Sequence, residues 1–154
     1  MRRAVITGLG VVSCLGNDKE SVTASLRDSK SGISFREDFK EMGLRCNVGA
    51  TIDLDPKEHI DRKIIRFMGP SSQYGYIAME RAIQDAALSE EQVSNIRTGI
   101  VMGSGGVSGE KFTESIDVMR DRGIKRAGPY RVTQVMASAV SACLATPFKI
   151  KGIN

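Results

Sequence analysis

The sequence predicts a layered α/β domain, because short β-branched runs alternate with stretches of helical period. Residues 3–7 and 98–102 are two such runs, and a glycine closes each of them, as happens where a buried strand enters a turn. Gly152, Ile153 and Asn154 have the pattern of a third strand that has only begun. Because a stable sheet usually needs three or more strands, we expect the first part of an α/β domain.

The first helix is predicted directly after the first strand. Asn17 or Asp18 can cap its N-terminus through a side-chain oxygen, and the helix should continue to Leu26. Val22 and Leu26 are four residues apart and therefore share one face. No period persists from residue 29 to residue 60, so this range is predicted to be an excursion or cap.

The clearest helical pattern begins at residues 71–72 and ends at Leu88. Pro70 suits the first turn, where a backbone N–H is not needed. The apolar residues form one stripe at helical spacing: Ile77, Ala78, Ala82, Ile83 and Ala86. Two further helices are predicted, over 110–119 and over 132–145; the second is rich in Ala and Ser and is stopped by Pro147.

The composition is that of an ordinary globular protein, with 154 residues, 41% of them hydrophobic and 26% charged. Its apolar runs are far shorter than the roughly 20 residues of a membrane helix, and we expect no membrane association. Three cysteines without a CxxC pair suit neither a disulfide framework nor a zinc site, which predicts a reducing, cytoplasmic compartment. The net charge of +4 permits an anionic partner without identifying it.

Two glycine-rich stretches suggest phosphate binding at first, but their details do not support it. VITGLGVVS begins like a dinucleotide fingerprint, yet Ser13 stands where the fingerprint needs Gly or Ala. In MGSGGVSGEK, Glu110 separates Gly109 from Lys111, whereas a P-loop requires Gly-Lys followed by Ser or Thr. We expect these glycines to serve tight turns or a close approach of the backbone.

Cys143 and His59 are the candidates for a thiol enzyme. Cys143 lies among small residues, as a reactive thiol often does, and His59 is the single histidine of the chain. The alternative is a packed, inert cysteine on a small-residue helix face, which is the commoner outcome.

Two basic clusters indicate either a solvated surface or an anionic partner. The first basic cluster is Arg62, Lys63 and Arg66, and the second is Arg120, Arg122, Lys125 and Arg126. Arg62 and Arg66 are four residues apart, so like charges share one helix face. Few aromatic residues are interleaved with them, which argues against stacking on nucleic-acid bases, and we expect no nucleic-acid partner.

Several ordered segments together resemble a known family. They are RAVITGLGVVS, IDRKIIRFM, GSGG, GPY and VMASAVSACLATPFKIKGIN. These segments resemble the β-ketoacyl-[acyl-carrier-protein] synthases of bacterial fatty acid synthesis, and among them the synthase I type. The resemblance implies a thiolase fold of two similar layered α/β halves, a homodimer, and acyl carrier protein as partner in its acyl and malonyl forms. It implies a two-step Claisen condensation through an acylated cysteine, with no cofactor and no metal.

The resemblance also implies roles for particular residues. Two positions match the acyl channel, Gly106 and Met136, and five match the surface that docks acidic carrier protein: Arg62, Lys63, Arg66, Arg122 and Lys125. The nucleophilic cysteine and two histidines of the family are expected beyond Asn154. Residues 1–154 should therefore be part of the N-terminal thiolase-like half, inactive alone.

Three functions consequently remain open from the sequence. The chain is an N-terminal portion of such a synthase, a carrier-protein or partner-binding module without catalysis, or a small independent enzyme that uses Cys143 and His59.

Overall fold

Eight α-helices and two short strands form within residues 3–154, the part of the chain that the structure, a computed structural model, describes. In chain order they are α1 Lys19–Arg27, β1 Ile33–Phe35, α2 Glu37–Glu41, β2 Val48–Ala50, α3 Arg62–Ile65, α4 Pro70–Asp85, α5 Glu90–Val93, α6 Gly109–Arg122, α7 Arg131–Val135 and α8 Ala139–Ala145. The 3₁₀ turns Pro56–Glu58 and Ile124–Arg126 lie between them.

The range 29–60 contains secondary structure that its sequence pattern did not indicate. Strands β1 and β2 pair in antiparallel fashion, with Ile33 opposite Ala50 and Phe35 opposite Val48. Each strand has only three residues, which is too short for a period of two to be recognised, and most of these residues are exposed. This hairpin is the one sheet formed within residues 3–154.

The two strands predicted from β-branched runs are not formed within the described residues. Val5 and Ile6 are 71% and 84% exposed, and their segment has no ladder partner between residues 3 and 154. A β-branched run favours an extended backbone, but a strand also needs a neighbour for its N–H and C=O groups. The prediction for residues 3–7 and 98–102 was therefore wrong in this part of the molecule.

Residues 152–154, predicted to begin a third strand, do not form one, but they lie beside residues 98–100. The Gly152 N–H donates to the Thr98 carbonyl at 3.0 Å, and the Ile100 N–H donates to the Ile153 carbonyl at 2.8 Å. The two segments run in the same direction with only these bonds, which are too few for a regular ladder.

The predicted start of α1 at Asp18 is confirmed. The Asp18 side chain accepts from the Ser21 N–H at 2.7 Å and forms a capping box.

Helix α4 begins with Pro70 as predicted, but it ends at Asp85 instead of Leu88. Ala87 has a φ of 52°, and the Leu88 N–H bonds back to the Ile83 carbonyl. This left-handed C-terminal cap closes the helix early, and an apolar stripe carries no sign of it.

The predicted single helix over 132–145 is two helices. Met136 has a ψ of 148°, which is extended and cannot continue the i to i−4 bonding pattern. Helix α7 consequently ends at Val135, and α8 begins at Ala139. The run of Ala and Ser that suggested one helix favours helix on both sides of the break and so conceals it.

The glycines of the Gly-Leu-Gly sequence lie directly on α4. An added Cβ at Gly10 would be 1.7 Å from the Ala78 carbonyl oxygen, and one at Gly8 would be 2.4 Å from the Ala82 carbonyl oxygen. The Leu9 N–H between them donates to Asp85 Oδ2 at 2.9 Å. These glycines thus serve a close approach of the backbone to a helix, one of the two uses expected from the sequence.

Helices α4 and α8 enclose the main apolar core. The buried cluster consists of Ile60, Met68, Ile77, Ile100, Val140, Cys143 and Leu144. Gly75 on α4 permits this contact, since a Cβ there would be 3.2 Å from Val140 Cγ1. Around the core, Tyr76 packs against Phe148 with ring centroids 4.8 Å apart.

We expect Gly10→Ala to destabilise the chain by about 2 kcal/mol or more, because the new methyl group overlaps the Ala78 carbonyl oxygen and forces the segment off the helix. Gly109→Ala is the control, because it lies in the first turn of α6 with nothing within 4 Å of an added Cβ. The control should be neutral or stabilising by less than ~1 kcal/mol. Urea unfolding measures both; equal midpoint shifts would contradict the close approach.

Candidate functional site

The first basic cluster lies at and just after α3, and its side chains are exposed. Asp61 caps this short helix by accepting from the Lys63 N–H at 2.6 Å, so the helix start is fixed. Arg62 and Lys63 occupy its first positions, and Arg66 is its C-cap. Within residues 3–154 none of the three cations has a carboxylate within 4.0 Å. Their charge is therefore available to a partner.

Two aromatic residues accompany this cluster in the structure. The guanidinium of Arg66 lies over the rings of Phe67 and Tyr130. Phe67 is adjacent to Arg66 in the sequence, and its proximity could have been noted there. Tyr130 is far along the chain, and no local pattern could have assigned it to this site.

The second basic cluster lies in a mixed-charge environment. Arg122 is the last residue of α6, and Lys125 lies in the 3₁₀ turn that follows. The groove beside Arg122 is also lined by Arg126 and Arg131 and by four carboxylates: Glu110, Glu114, Asp117 and Asp121. These carboxylates reduce the positive potential around Arg122, so the first cluster is the more strongly cationic of the two.

Glu114 neutralises two neighbouring cations and joins α6 to α7. Its carboxylate accepts from Arg131 Nη2 and from Lys111 Nζ, each at 2.9 Å. The hydrogen bond from Arg131, and after it the one from Lys111, lowers the pKa of the Glu114 carboxyl to about 2. Arg131 also donates to the Ala127 carbonyl at 3.2 Å. These cations are committed to the fold, whereas Arg122 and Lys125 have no such partner among residues 3–154.

The two predicted channel residues line one cleft. Gly106 and Met136 meet there, although thirty positions of sequence that include α6 separate them. The cleft is narrow, with a cavity volume of about 10 Å³, and is lined otherwise mainly by small side chains, among them Ser72, Ala137 and Ala139. Nothing lies within 4 Å of a Cβ built at Gly106, so this wall is open. Met136 reaches the cleft from the break between α7 and α8.

Cys143 is a core residue in the structure. It is 8% exposed, and its Sγ donates to the Phe67 carbonyl at 3.4 Å. Burial raises the pKa of the Cys143 thiol. A thiol that is buried and protonated is a poor nucleophile. The packed, inert interpretation of this residue is the one that the geometry supports.

His59 does not assist Cys143. It is exposed at the C-cap of the turn Pro56–Glu58, and no hydrogen bond joins the two side chains within residues 3–154. In the same residues, no group of three or more His, Cys, Asp or Glu side chains is arranged to hold a metal ion. No helix there combines the length and hydrophobicity that crossing a bilayer requires.

Comparison with known proteins identifies the family. The family model described as "Beta-ketoacyl synthase, N-terminal domain" matches residues 1–154. The 3-oxoacyl-[acyl-carrier-protein] synthase 1 of Haemophilus influenzae is 55% identical over the whole chain. This chain spans 38% of the length of that relative.

Solved structures agree with this assignment. A β-ketoacyl synthase from Burkholderia phymatum superimposes with a TM-score of 0.85 at 26% identity, over 99% of this chain and 38% of that one. A ketosynthase solved in complex with its type II polyketide acyl-carrier protein has a TM-score of 0.75 at 22% identity, over 98% and 40%. The predicted α/β, thiolase-like fold is confirmed. The chain belongs to the β-ketoacyl synthase family and matches its N-terminal domain.

Proposed function

We propose that this chain is the N-terminal portion of a β-ketoacyl-[acyl-carrier-protein] synthase of the synthase I type, which elongates acyl chains in fatty acid synthesis. The observation that carries the proposal is the 55% identity to a synthase 1 over the entire chain. Identity of that extent supports a shared substrate class as well as a shared fold.

The proposed reaction has two steps. A cysteine thiolate attacks the acyl thioester of acyl carrier protein, and the thiol of the carrier leaves. Malonyl carrier protein then loses carbon dioxide, and the carbanion left on its α-carbon attacks the acyl-cysteine thioester. The thiolate is released, and the product is a β-ketoacyl carrier protein. The covalent intermediate lets one site process two substrates in turn.

Residues 1–154 contribute binding rather than bond formation in this proposal. Cys143 is buried and its thiol pKa is raised, so it does not carry the acyl group. The catalytic cysteine and histidines belong to other parts of the synthase, and the 154 residues alone do not condense substrates. No cofactor or metal takes part. The complete synthase is a homodimer in the cytoplasm, as the family resemblance implies.

Carrier-protein docking is assigned to Arg62, Lys63, Arg66, Arg122 and Lys125, hereafter the docking surface. The absence of carboxylate partners for these cations within residues 3–154 supports the assignment, because an acidic protein can then pair with them. The polyketide ketosynthase of similar fold is bound to an acyl-carrier protein, which is consistent with the same class of partner here. The first cluster should contribute most, since carboxylates surround Arg122.

The acyl chain is assigned to the cleft between Gly106 and Met136. Small side chains and an open wall at Gly106 support this assignment, because they leave an approach for a hydrocarbon chain, and each methylene buried on binding contributes about 0.8 kcal/mol. The cavity holds only about 10 Å³, so the proposal requires the cleft to widen when a chain enters. Met136 is unbranched and flexible, which suits a surface that must adapt to chains of several lengths.

Reversing the first basic cluster to glutamate, as Arg62→Glu, Lys63→Glu and Arg66→Glu together, should weaken binding of acyl carrier protein by roughly tenfold or more. Salt should weaken the remaining binding less than it weakens parental binding, because three attractions have become repulsions that salt also screens. Fluorescence anisotropy with labelled carrier protein, measured from low to physiological salt, gives both quantities.

A control triple variant has the same net charge as the variant of the first basic cluster. Arg27, Lys30 and Arg45 are exposed and form no ion pair within residues 3–154, and their reversal changes the charge equally. The control triple should bind nearly as the parent does. Equal losses in the two triples would mean that net charge alone governs binding, and the docking assignment would then be wrong.

Residues 1–154 grafted in place of the aligned portion of the Haemophilus influenzae synthase should restore condensation. In that chimera, Gly106→Val should reduce extension of long acyl chains at least about tenfold while short chains are still extended, because a branched side chain fills the cleft. Gly105→Val is the control, since it is equally open but does not line the cleft. An inactive chimera would contradict the proposed function; equal losses at all chain lengths would contradict only the channel.

A further inference from the structure

The guanidinium of Arg66 lies close to two aromatic rings that meet at nearly a right angle. Its Cζ lies 5.1 Å from the centroid of the Phe67 ring and 4.9 Å from that of Tyr130. The two rings themselves meet edge to face, with centroids 4.7 Å apart and an interplanar angle of 79°. This arrangement, hereafter the Arg66 stack, joins the residue after α3 to the residue before α7. One exposed cation is therefore contacted by two separate segments.

The backbone at Arg66 is anchored from the same side. Gln134 on α7 donates from Nε2 to the Arg66 carbonyl at 2.8 Å. The next carbonyl, that of Phe67, accepts from Cys143 on α8. Both the main chain and the side chain of Arg66 are consequently positioned by α7, α8 and the residue before α7. The other cations of the docking surface have no comparable aromatic contact within residues 3–154.

Stacking holds Arg66 without neutralising it. A ring beside a cation does not remove its charge. The N–H groups of the Arg66 side chain donate no hydrogen bond within residues 3–154, so they can still form paired bonds to a carboxylate. Arg131, by contrast, has its N–H groups engaged by Glu114 and the Ala127 carbonyl. Arg66 thus combines a set orientation with an unoccupied hydrogen-bonding edge, whereas a mobile arginine would lose rotamer freedom on binding.

We propose that Phe67 and Tyr130 are positioning residues that present the guanidinium edge of Arg66 to a carboxylate on the acidic carrier protein. The proposal rests on the proposed docking function and adds two uncharged residues to that surface. The rings act before the partner arrives, by restricting Arg66 to the orientation that binds. Their removal therefore weakens binding while the number of ion pairs stays the same.

The test is a double-mutant cycle on carrier-protein binding. Tyr130→Leu should weaken binding roughly threefold to fivefold, the range expected for an exposed cation–aromatic contact. Tyr130→Phe keeps the ring and should bind as the parent does. Phe67→Leu removes the other ring at a position that is 36% exposed, and it provides a second variant should Tyr130→Leu fold poorly. Arg66→Ala should weaken binding more than either ring deletion.

Two readouts separate positioning from a merely structural role. Tyr130→Leu should leave the salt dependence of binding at the parental slope, whereas Arg66→Ala should lower it. In the Arg66→Ala background, Tyr130→Leu should have no further effect, because no guanidinium remains to be positioned. If Tyr130→Leu weakened binding equally in the Arg66→Ala background, the positioning role of Tyr130 would be refuted, whereas the docking role of Arg66 would remain. Unchanged affinity in Arg66→Ala would instead refute Arg66 as a docking residue and the stack with it.

Discussion

The approach of other segments to α4 is the constraint on which the rest of the structure depends. On one side, Gly8 and Gly10 bring the backbone of the N-terminal segment against the carbonyls of Ala78 and Ala82. Elsewhere on the same helix, Gly75 admits α8 and hence the core around Leu144. At these contacts glycine lets the segments approach more closely than larger side chains would allow. A single added methyl group is therefore enough to disturb the packing. The positions of α8 and of the preceding Met136 follow from this packing.

The sequence predicted those parts of the fold whose signals are local. The cap at Asp18 and the Pro70 start of α4 depend on residues within one turn, and both were found as expected. Strands were not predictable in this way, because pairing depends on partners distant in the sequence. The break at Met136 was also invisible, since its flanking residues favour helix equally on both sides. Local propensity cannot describe a bend that tertiary packing imposes.

The same distinction between local signals and distant partners applies to the residues of the candidate site. Family resemblance supplied Arg62, Lys63 and Arg66, and the structure adds that they have no carboxylate partners within residues 3–154. Tyr130 could not be found from the sequence, because only the fold brings its ring to Arg66. Composition alone left the chemistry of Cys143 open, and burial decides it. Exposed cations and a buried thiol are what the proposed function requires of a part that binds substrate and leaves the covalent chemistry to other residues.

Cysteine reactivity in the folded chain tests that central claim most directly. Cys14 and Cys46 are exposed and Cys143 is buried, so the chain contains its own internal comparison. Under limiting iodoacetamide, peptide mass spectrometry should find Cys14 and Cys46 alkylated first and Cys143 protected until denaturant is added. Incubation with acyl carrier protein should leave Cys143 unacylated. Alkylation of Cys143 as fast as that of the exposed cysteines, or transfer of an acyl group to it, would contradict the account.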